Sequence, residues 1–368
     1  RATNESNSRT SAYEALASTV ANSASDCLNQ VSTVLVHIPE RQEALNAMVS
    51  QLIGLDDRNN WAELQSNLCS VMIAAVRRLH SGMAPIGDRL MTSLLTLIQN
   101  SAKQPTVLED AFVAVGTVIV ALEADFEKYL DAFLPFLVEG LRNHEEHQLC
   151  TISVGIVGDV CRSLAERATK YSETLVLALF EDLQSPVLHR NVKPHILSCF
   201  GDIAMAIGPA FESYLPTAMA VLQQASMVQN APDTADYEMV EYVNDLREGI
   251  AEAYVGIVSG FRMAGKADVL LPYMDYTLAF VGLVASDSID RSETLLRSTI
   301  GLVGDLATAY PTGPVMVKLQ QPWVFEYIKV GRSRGNGTET RKTANWAREV
   351  LKKSASLGSS SSGTPVLS

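Results

Sequence analysis

The sequence predicts an all-α fold, an α-α superhelix of about seven and a half stacked helix pairs, and three observations predict it. First, segments recur with a period of 42 or 43 residues. "KYLDAFLPFLVEGL" from Lys128, "KYSETLVLALFEDL" from Lys170 and "SYLPTAMAVLQQAS" from Ser213 place Tyr129, Tyr171 and Tyr214 at that interval, with Leu137, Leu179 and Leu222 in step. A partner segment repeats alongside: Gly116, Gly158 and Gly201, then Val118, Val160 and Ile203, then Leu122, Leu164 and Ile207. Second, apolar residues within one period fall three and four apart. Phe126, Tyr129, Leu130, Phe133, Leu134, Leu137 and Leu141 therefore share one helix face. Third, hydrophobic content is 47 % while aromatics are only 7 %, a mix that suits close-packed helices better than a β-sandwich.

Two amphipathic helices per period of this length, with Pro135 inside the first, make the pattern of a HEAT-type solenoid. Each pair buries its apolar faces only against its neighbours. In order along the chain, helices are expected near 9–23, 26–53, 61–80, 84–100, 106–122, 125–142, 146–167, 170–184, 188–207, 210–227, 235–261, 267–286, 290–309, 313–331 and 338–353. The first lacks an upstream partner, and Arg1 opens neither a signal peptide nor a natural start, so a piece of a longer chain is expected. In 125–142, Pro135 is expected to bend the helix. The helices at 146–167, 188–207 and 290–309 carry Gly158-Asp159, Gly201-Asp202 and Gly304-Asp305. Three copies argue against three active sites. The glycine admits a neighbouring backbone, the aspartate reaches toward a neighbouring repeat, and the pair marks packing. Ala231-Pro232-Asp233 and "GRSRGNGTET" read as inter-helix loops. The organisation expected is a disordered or frayed end at 1–8, one solenoid over 9–354, and a disordered Ser- and Gly-rich tail at 355–368.

The formal charge of −12 opposes nucleic acid and anionic lipid and favours basic partners. It is unevenly spread, with seven Arg or Lys against two Glu between Gly331 and Lys353. The five cysteines, Cys27, Cys69, Cys150, Cys161 and Cys199, are odd in number and widely separated, which fits reduced thiols and neither a disulfide framework nor a zinc ribbon. No apolar run approaches the ~18 residues of a membrane helix.

Signals for catalysis are weak. His144 and His147 in "HEEH" are not the H-E-x-x-H of zinc hydrolases, and His37, His80, His189 and His195 stand alone. "GRSRGNGT" from Gly331 lacks the lysine of a phosphate-binding loop. Arg341, Lys342, Arg348, Lys352 and Lys353 complement the C-terminal end of their own helix. Neither an enzyme, a metal site nor a cofactor is expected.

One helix reads as a binding surface. Over "DYEMVEYVNDLREGIAEAY", from Asp236, Glu238, Glu241, Asp245, Glu248 and Glu252 form a continuous stripe at 100° per residue. Met239, Val243, Leu246, Ile250 and Ala253 form another, roughly 140° away. Like charges at this spacing cost about 0.2–0.5 kcal/mol per pair, and only Arg247 is near enough in sequence to relieve them. The stripe is expected to receive a basic helix or segment. Glu109, Asp110, Glu145 and Glu146 begin helices of the same second type and extend that acidic surface.

Five segments carry a resemblance: "RTSAYEAL" from Arg9, "VKPHILSCFGDIAMAIG" from Val192, "LQQASM" from Leu222, "DYEMVEYVNDLRE" from Asp236 and "ANWAREVLKK" from Ala344. With them the chain resembles the C-terminal half of the importin-β (karyopherin-β) family of nuclear import receptors. The resemblance implies a superhelical HEAT solenoid that carries cargo between cytoplasm and nucleus through nuclear pores. It implies that the acidic stripe binds the basic importin-β-binding segment of importin-α, with Trp346 stacking on an arginine or lysine. It implies contacts with phenylalanine-glycine nucleoporins between outer helices, with Phe133, Phe136 and Phe180 bordering pockets. Ran-GTP is the implied releasing partner, its principal surface lying in the family's N-terminal half. The alternative is a HEAT scaffold that organises other proteins and needs no acidic groove.

Overall fold

The computed structural model describes residues 58–229, 237–287 and 291–360, together with helical positions at Ser11 and Ala15. The rest of the helices expected over 9–23 and 26–53, the 1–8 end, Cys27, His37, the Ala231-Pro232-Asp233 loop and residues 361–368 lie outside the described residues. Every regular element among the described residues is helical, and none is a strand. The chain divides into two compact units, Arg1–Leu164 and Ala165–Ser368.

The first unit holds α1 (Arg58–Leu79), α2 (Ala84–Asn100), α3 (Pro105–Leu122), α4 (Glu127–Leu141) and α5 (His147–Leu164). Helices α1, α3 and α5 pack side by side in a row, while α2 and α4 back onto α3 and α5. Between the layers Phe112 meets Phe133 edge-on, with ring centroids 5.5 Å apart.

The second unit continues with α6 (Thr169–Gln184), α7 (Val192–Ile207), α8 (Leu215–Ser226), α9 (Tyr237–Met263), α10 (Met274–Ser286), α11 (Glu293–Ala309), α12 (Pro314–Leu319), α13 (Pro322–Gly331) and α14 (Thr338–Ser360). Its row is α7, α9, α11 and α14, flanked by α6, α8, α10 and the α12–α13 pair. The tightest step joins α7 to α9. A Cβ on Gly201 would lie 2.7 Å from the Glu252 carbonyl oxygen, and one on Gly256 would collide with the Gly201 backbone. Of the three Gly-Asp glycines, Gly201 admits a neighbouring backbone as its sequence context suggests. The aspartates differ among themselves: Asp159 pairs with Arg162 on its own helix at 2.7 Å. Half-buried Asp305 of α11 is influenced by Arg262 of α9, one repeat away.

Several boundaries depart from the sequence reading. The helix expected over 313–331 is two helices, because Pro322 has no amide hydrogen to continue the ladder and holds Gln321 in extended backbone, φ −65° and ψ 146°. The segment 188–207 becomes helical only at Val192. Helix α11 starts at Glu293, where the Ser292 hydroxyl accepts from the Leu295 amide at 3.0 Å. The last helix runs past Lys353 to Ser360, through residues assigned to a disordered tail. Buried Leu351 and Ser354 anchor that helix, and each further residue adds a hydrogen bond to a nucleus already formed.

Two helical stretches, 192–213 and 267–286, reach the length and mean hydropathy of a membrane span, at 1.2 and 1.5, a correction to the reading that no apolar run approaches that length. Buried residues of the first, among them Ile196, Phe200 and Ile203, lie within the layers of the second unit.

The junctions between row helices and the next flanking helix repeat one device. Short 3-10 turns follow His80, Glu123, Ala165 and Gly208, positions 42 or 43 residues apart that all have φ between 46° and 52°. Only Gly208 suits that conformation; at Glu123 and Gly208 ψ is −129° and −123°, and a side-chain-bearing residue held in so sparsely populated a region costs about 1–3 kcal/mol. Glu123 is exposed, with φ 49° and ψ −129°. A Cβ on Gly208 would meet nothing closer than 3.8 Å, so its replacement is a purely conformational test. Glu123→Gly should raise, and Gly208→Ala lower, the unfolding free energy by about 1 kcal/mol each, read from urea denaturation midpoints. A loss of stability in Glu123→Gly would contradict the strain assigned to this turn.

Candidate functional site

The acidic stripe forms because α9 is long and turns one face into the second unit. Val243, Leu246, Ile250, Ala253, Tyr254 and Ile257 are buried on that face, which leaves Glu238, Glu241, Asp245 and Glu252 exposed and Glu248 half-buried. Arg247, the cation expected to relieve the stripe, does not face it. Arg247 is 4 % exposed and pairs with Asp287 just past α10, a correction that follows from its place three residues from the buried Ile250.

Other repeats supply the stripe's partners. Arg190, before α7, pairs with Glu238 at 3.1 Å. Ser198 of α7 donates to Glu252 at 2.7 Å. Ser292 donates to Glu248 while accepting the Leu295 amide, so Glu248 props the hydroxyl that caps α11. Asn244, on the same face, accepts the Ser292 amide at 3.1 Å. Glu241 and Asp245 have no ion pair or hydrogen bond among the described residues. Partial burial, then Glu241, pushes the Asp245 carboxyl up, against the pull of His195. Burial first, then Asp245 and Glu252, pushes Glu248 up, opposed by the Ser292 hydrogen bond. These carboxylates are held at a cost.

Trp346 lies on α14, 42 % exposed. Its indole covers Gly304 so closely that a Cβ there would collide with the ring. The third Gly-Asp glycine is therefore a seat for an aromatic side chain rather than for a backbone.

In the first unit, Glu109 and Asp110 of α3 and Glu146 ahead of α5 come together. Burial first, then Asp110 and Glu146, raises the Glu109 carboxyl, with His147 easing it. Glu145 is exposed beside them. Behind this cluster the Cys69 thiol is pushed up to about 12 by burial and by Asp110, so it is inert. Cys69, Cys150, Cys161 and Cys199 are all buried thiols, and Cys150 donates to the Leu141 carbonyl at 3.0 Å.

The aromatic assignments need correction. Phe133 is fully buried against Phe112. Phe180 is 8 % exposed and packs on Phe200 at 5.0 Å, so neither ring borders an opening. Both occupy the inward positions of the three-and-four apolar pattern. Phe136 is half-buried. Sequence reasoning missed a cleft of about 310 Å³ between α10 and the α12–α13 pair, lined by Leu278, Ala279, Gln321 and Trp323 with the Asp275–Lys318 ion pair. Trp323 is 39 % exposed there. The available signal was the Pro322-Trp323 step, where a helix restarts with an aromatic in its first turn.

These features define a class of protein: an all-helical repeat stack with an acidic row helix, an exposed tryptophan on the same row, and an apolar cleft between flanking helices. Interactions link equivalent positions one repeat apart, as in the 2.6 Å bond from Tyr310 to the Ala267 carbonyl 43 residues earlier. The family model described as "Importin subunit beta-1-like, TPR repeats" matches residues 1–332. The chain belongs to the importin subunit beta-1 family. Importin subunit beta-1 of Schizosaccharomyces pombe is 42 % identical over 96 % of this chain. A crystal structure of importin beta in a polyethylene glycol condition superposes with a TM-score of 0.87 at 40 % identity, over 95 % of this chain and 42 % of that one. The Kap95:Nup1 complex gives 0.80 at 31 % identity, over 96 % and 41 %. A structure in which Kap95p binding switches the loops of RanGDP to the GTP-bound conformation gives 0.79 at 32 %, over 96 % and 41 %. The chain spans 41 % of the length of the S. pombe relative.

Raised carboxyls set the sign of a pH effect. A carboxyl whose folded pKa lies above its unfolded one favours the fold when protonated, and that contribution is lost as pH rises through the folded value. At neutral pH Asp245 and Glu248 are ionised against this preference. Asp245→Asn, which leaves the Glu248 prop on the α11 cap intact, should leave the melting temperature equal or higher at pH 7, and flatten the pH dependence of stability across the carboxylate range. Calorimetric scans at several pH values check it; a clear drop at pH 7 would mean that the Asp245 charge is stabilising.

Proposed function

We propose that this chain is the ligand-binding part of a nuclear import receptor, working between cytoplasm and nucleus and holding the basic importin-β-binding segment of importin-α on the row face of its second unit. The observation that carries the reading is the pair Glu241 and Asp245, exposed, mutually repelling and unpaired in the middle of the α9 stripe. A basic helix laid along α9 would relieve that repulsion. Individual exposed pairs are worth only about 0.2–1 kcal/mol, so affinity comes from the array and weakens with salt. Trp346, whose six-membered ring lies against Gly304, offers its exposed part to a cation. Glu109, Asp110, Glu145 and Glu146 give the first unit an acidic patch of its own for a basic ligand.

Two of the similar solved structures support further partners by likeness: Nup1 for one, Ran for the other. The nucleoporin contact fits the Trp323 cleft better than Phe133 or Phe180, because a phenylalanine ring needs open apolar surface. The reading involves no catalysis and no cofactor.

Calorimetry with importin-α's basic segment tests the stripe. Glu241→Gln with Asp245→Asn, which spares the α11 cap, should lower affinity at least about tenfold at low salt, equivalent to ~1.4 kcal/mol. Trp346→Ala should weaken the same ligand with little salt dependence, by about 0.5–2 kcal/mol. Parent-like binding by the double variant at low salt would sink the proposal.

A phenylalanine-glycine peptide tests the cleft. Trp323→Ala should remove most of its binding, since burying one ring contributes about 1.5–3 kcal/mol. Rising salt should leave the parent's affinity nearly unchanged; a steep loss would mark the contact as ionic and the cleft as uninvolved.

A further inference from the structure

The first turn of the stripe already holds a cation, and it belongs to this chain. Arg190 lies two residues ahead of α7, and its Nη2 is 3.1 Å from Glu238 Oε2. Its guanidinium carbon is 5.6 Å from the centroid of the Tyr242 ring. Glu238 and Tyr242 are four residues apart on α9, so carboxylate and ring lie on one face, one turn apart.

A carboxylate next to an aromatic face suits a guanidinium in particular. The carboxylate accepts a charge-assisted hydrogen bond while the ring receives the flat cation, whereas a lysine ammonium is a compact point charge without that planar match. Burial raises the pKa of the Tyr242 hydroxyl and Arg190 draws it back. The arrangement is also open to exchange. The side chains of Arg190 and Glu238 are 44 % and 79 % exposed, so water and an incoming cation reach both. Farther along the same stripe Glu241 and Asp245 have no such partner, which makes the first turn the place where a ligand meets a competitor.

The geometry points to Glu238 and Tyr242 as a guanidinium subsite of the α9 stripe, occupied in the free protein by the chain's own Arg190 and surrendered to an arginine of the incoming basic segment. The inference rests on the proposal that the stripe receives such a segment. Arg190 is tethered one repeat away and competes at a fixed effective concentration. The subsite therefore lowers affinity for every basic ligand and favours those that present an arginine at this turn.

The test is calorimetry on the 368-residue chain at low salt with two synthetic helical peptides of equal length and charge, one arginine-based and one lysine-based. Arg190→Met should bind the arginine peptide about three- to tenfold more tightly than the parent, with a smaller gain for the lysine peptide. In a Glu238→Gln background the gain from Arg190→Met should fall below about twofold, since the contested subsite is gone. Equal gains in both backgrounds would overturn the inference, because a diffuse loss of positive charge acts regardless of Glu238. No gain in either background would overturn it as well. If Glu241→Gln with Asp245→Asn weakens binding while the Arg190 variants change nothing, only the exchange fails. If the parent and every variant bind neither peptide, the receptor reading fails and this inference with it. Circular dichroism of Arg190→Met and Glu238→Gln, both altered at exposed positions, confirms that the helices persist.

Discussion

The backbone contact between α7 and α9 sets the terms for the second unit. Gly201 and Gly256 let two helices meet main chain against main chain, and Gly249 against Pro194 and Gly260 against Ala204 continue the contact along the same seam. At such a separation no side chain fits between them, so the rotation of α9 about its axis is fixed. That rotation buries Arg247 and turns Glu241 and Asp245 outward. Interiors packed to crystal-like density transmit such constraints without slack. The acidic face thus runs beside a glycine seam of the same helix, close enough for Ser198 and Arg190 on the α7 side to reach Glu252 and Glu238.

The seam also explains how the carboxylates are shared between folding and binding. Glu238, Glu248 and Glu252 reach partners on the neighbouring repeats, at Arg190, Ser292 and Ser198. They help hold α7, α9 and α11 in register. Glu241 and Asp245 sit between those contacts and gain no partner, which leaves their charge for a ligand. One face of one helix therefore carries both a structural ladder and a binding array. The Gly304 seat does the same for Trp346: the glycine fixes one side of the indole and leaves part of it to solvent.

Flanking helices obey a looser rule. They are shorter, begin with proline in several cases, and leave gaps where a helix restarts, as at Pro322. The restart sets Trp323 at the edge of α10, 4.0 Å from where a Cβ on Gly282 would stand. The cleft there comes from interrupted packing, whereas the row face comes from packing at its closest.

Much of this was legible in the sequence. The helical class, the period, the Gly-Asp packing role and the α9 stripe follow from local rules, because 3.6-residue periodicity and repetition are properties of a segment and its copies. The family followed from the same segments. What the sequence could not decide was the identity of partners across repeats. Arg190 stands 48 residues from Glu238, and Arg247, near the stripe in sequence, turned inward because its angular position falls on the buried arc. Phe133 and Phe180 belong to the same apolar rows as the leucines around them, and only the layered packing shows that both point into the core. Helix periodicity determined which residues share a face; the approach of neighbouring helices decided which face met water, since burial and charge pairing depend on distances that no single helix contains.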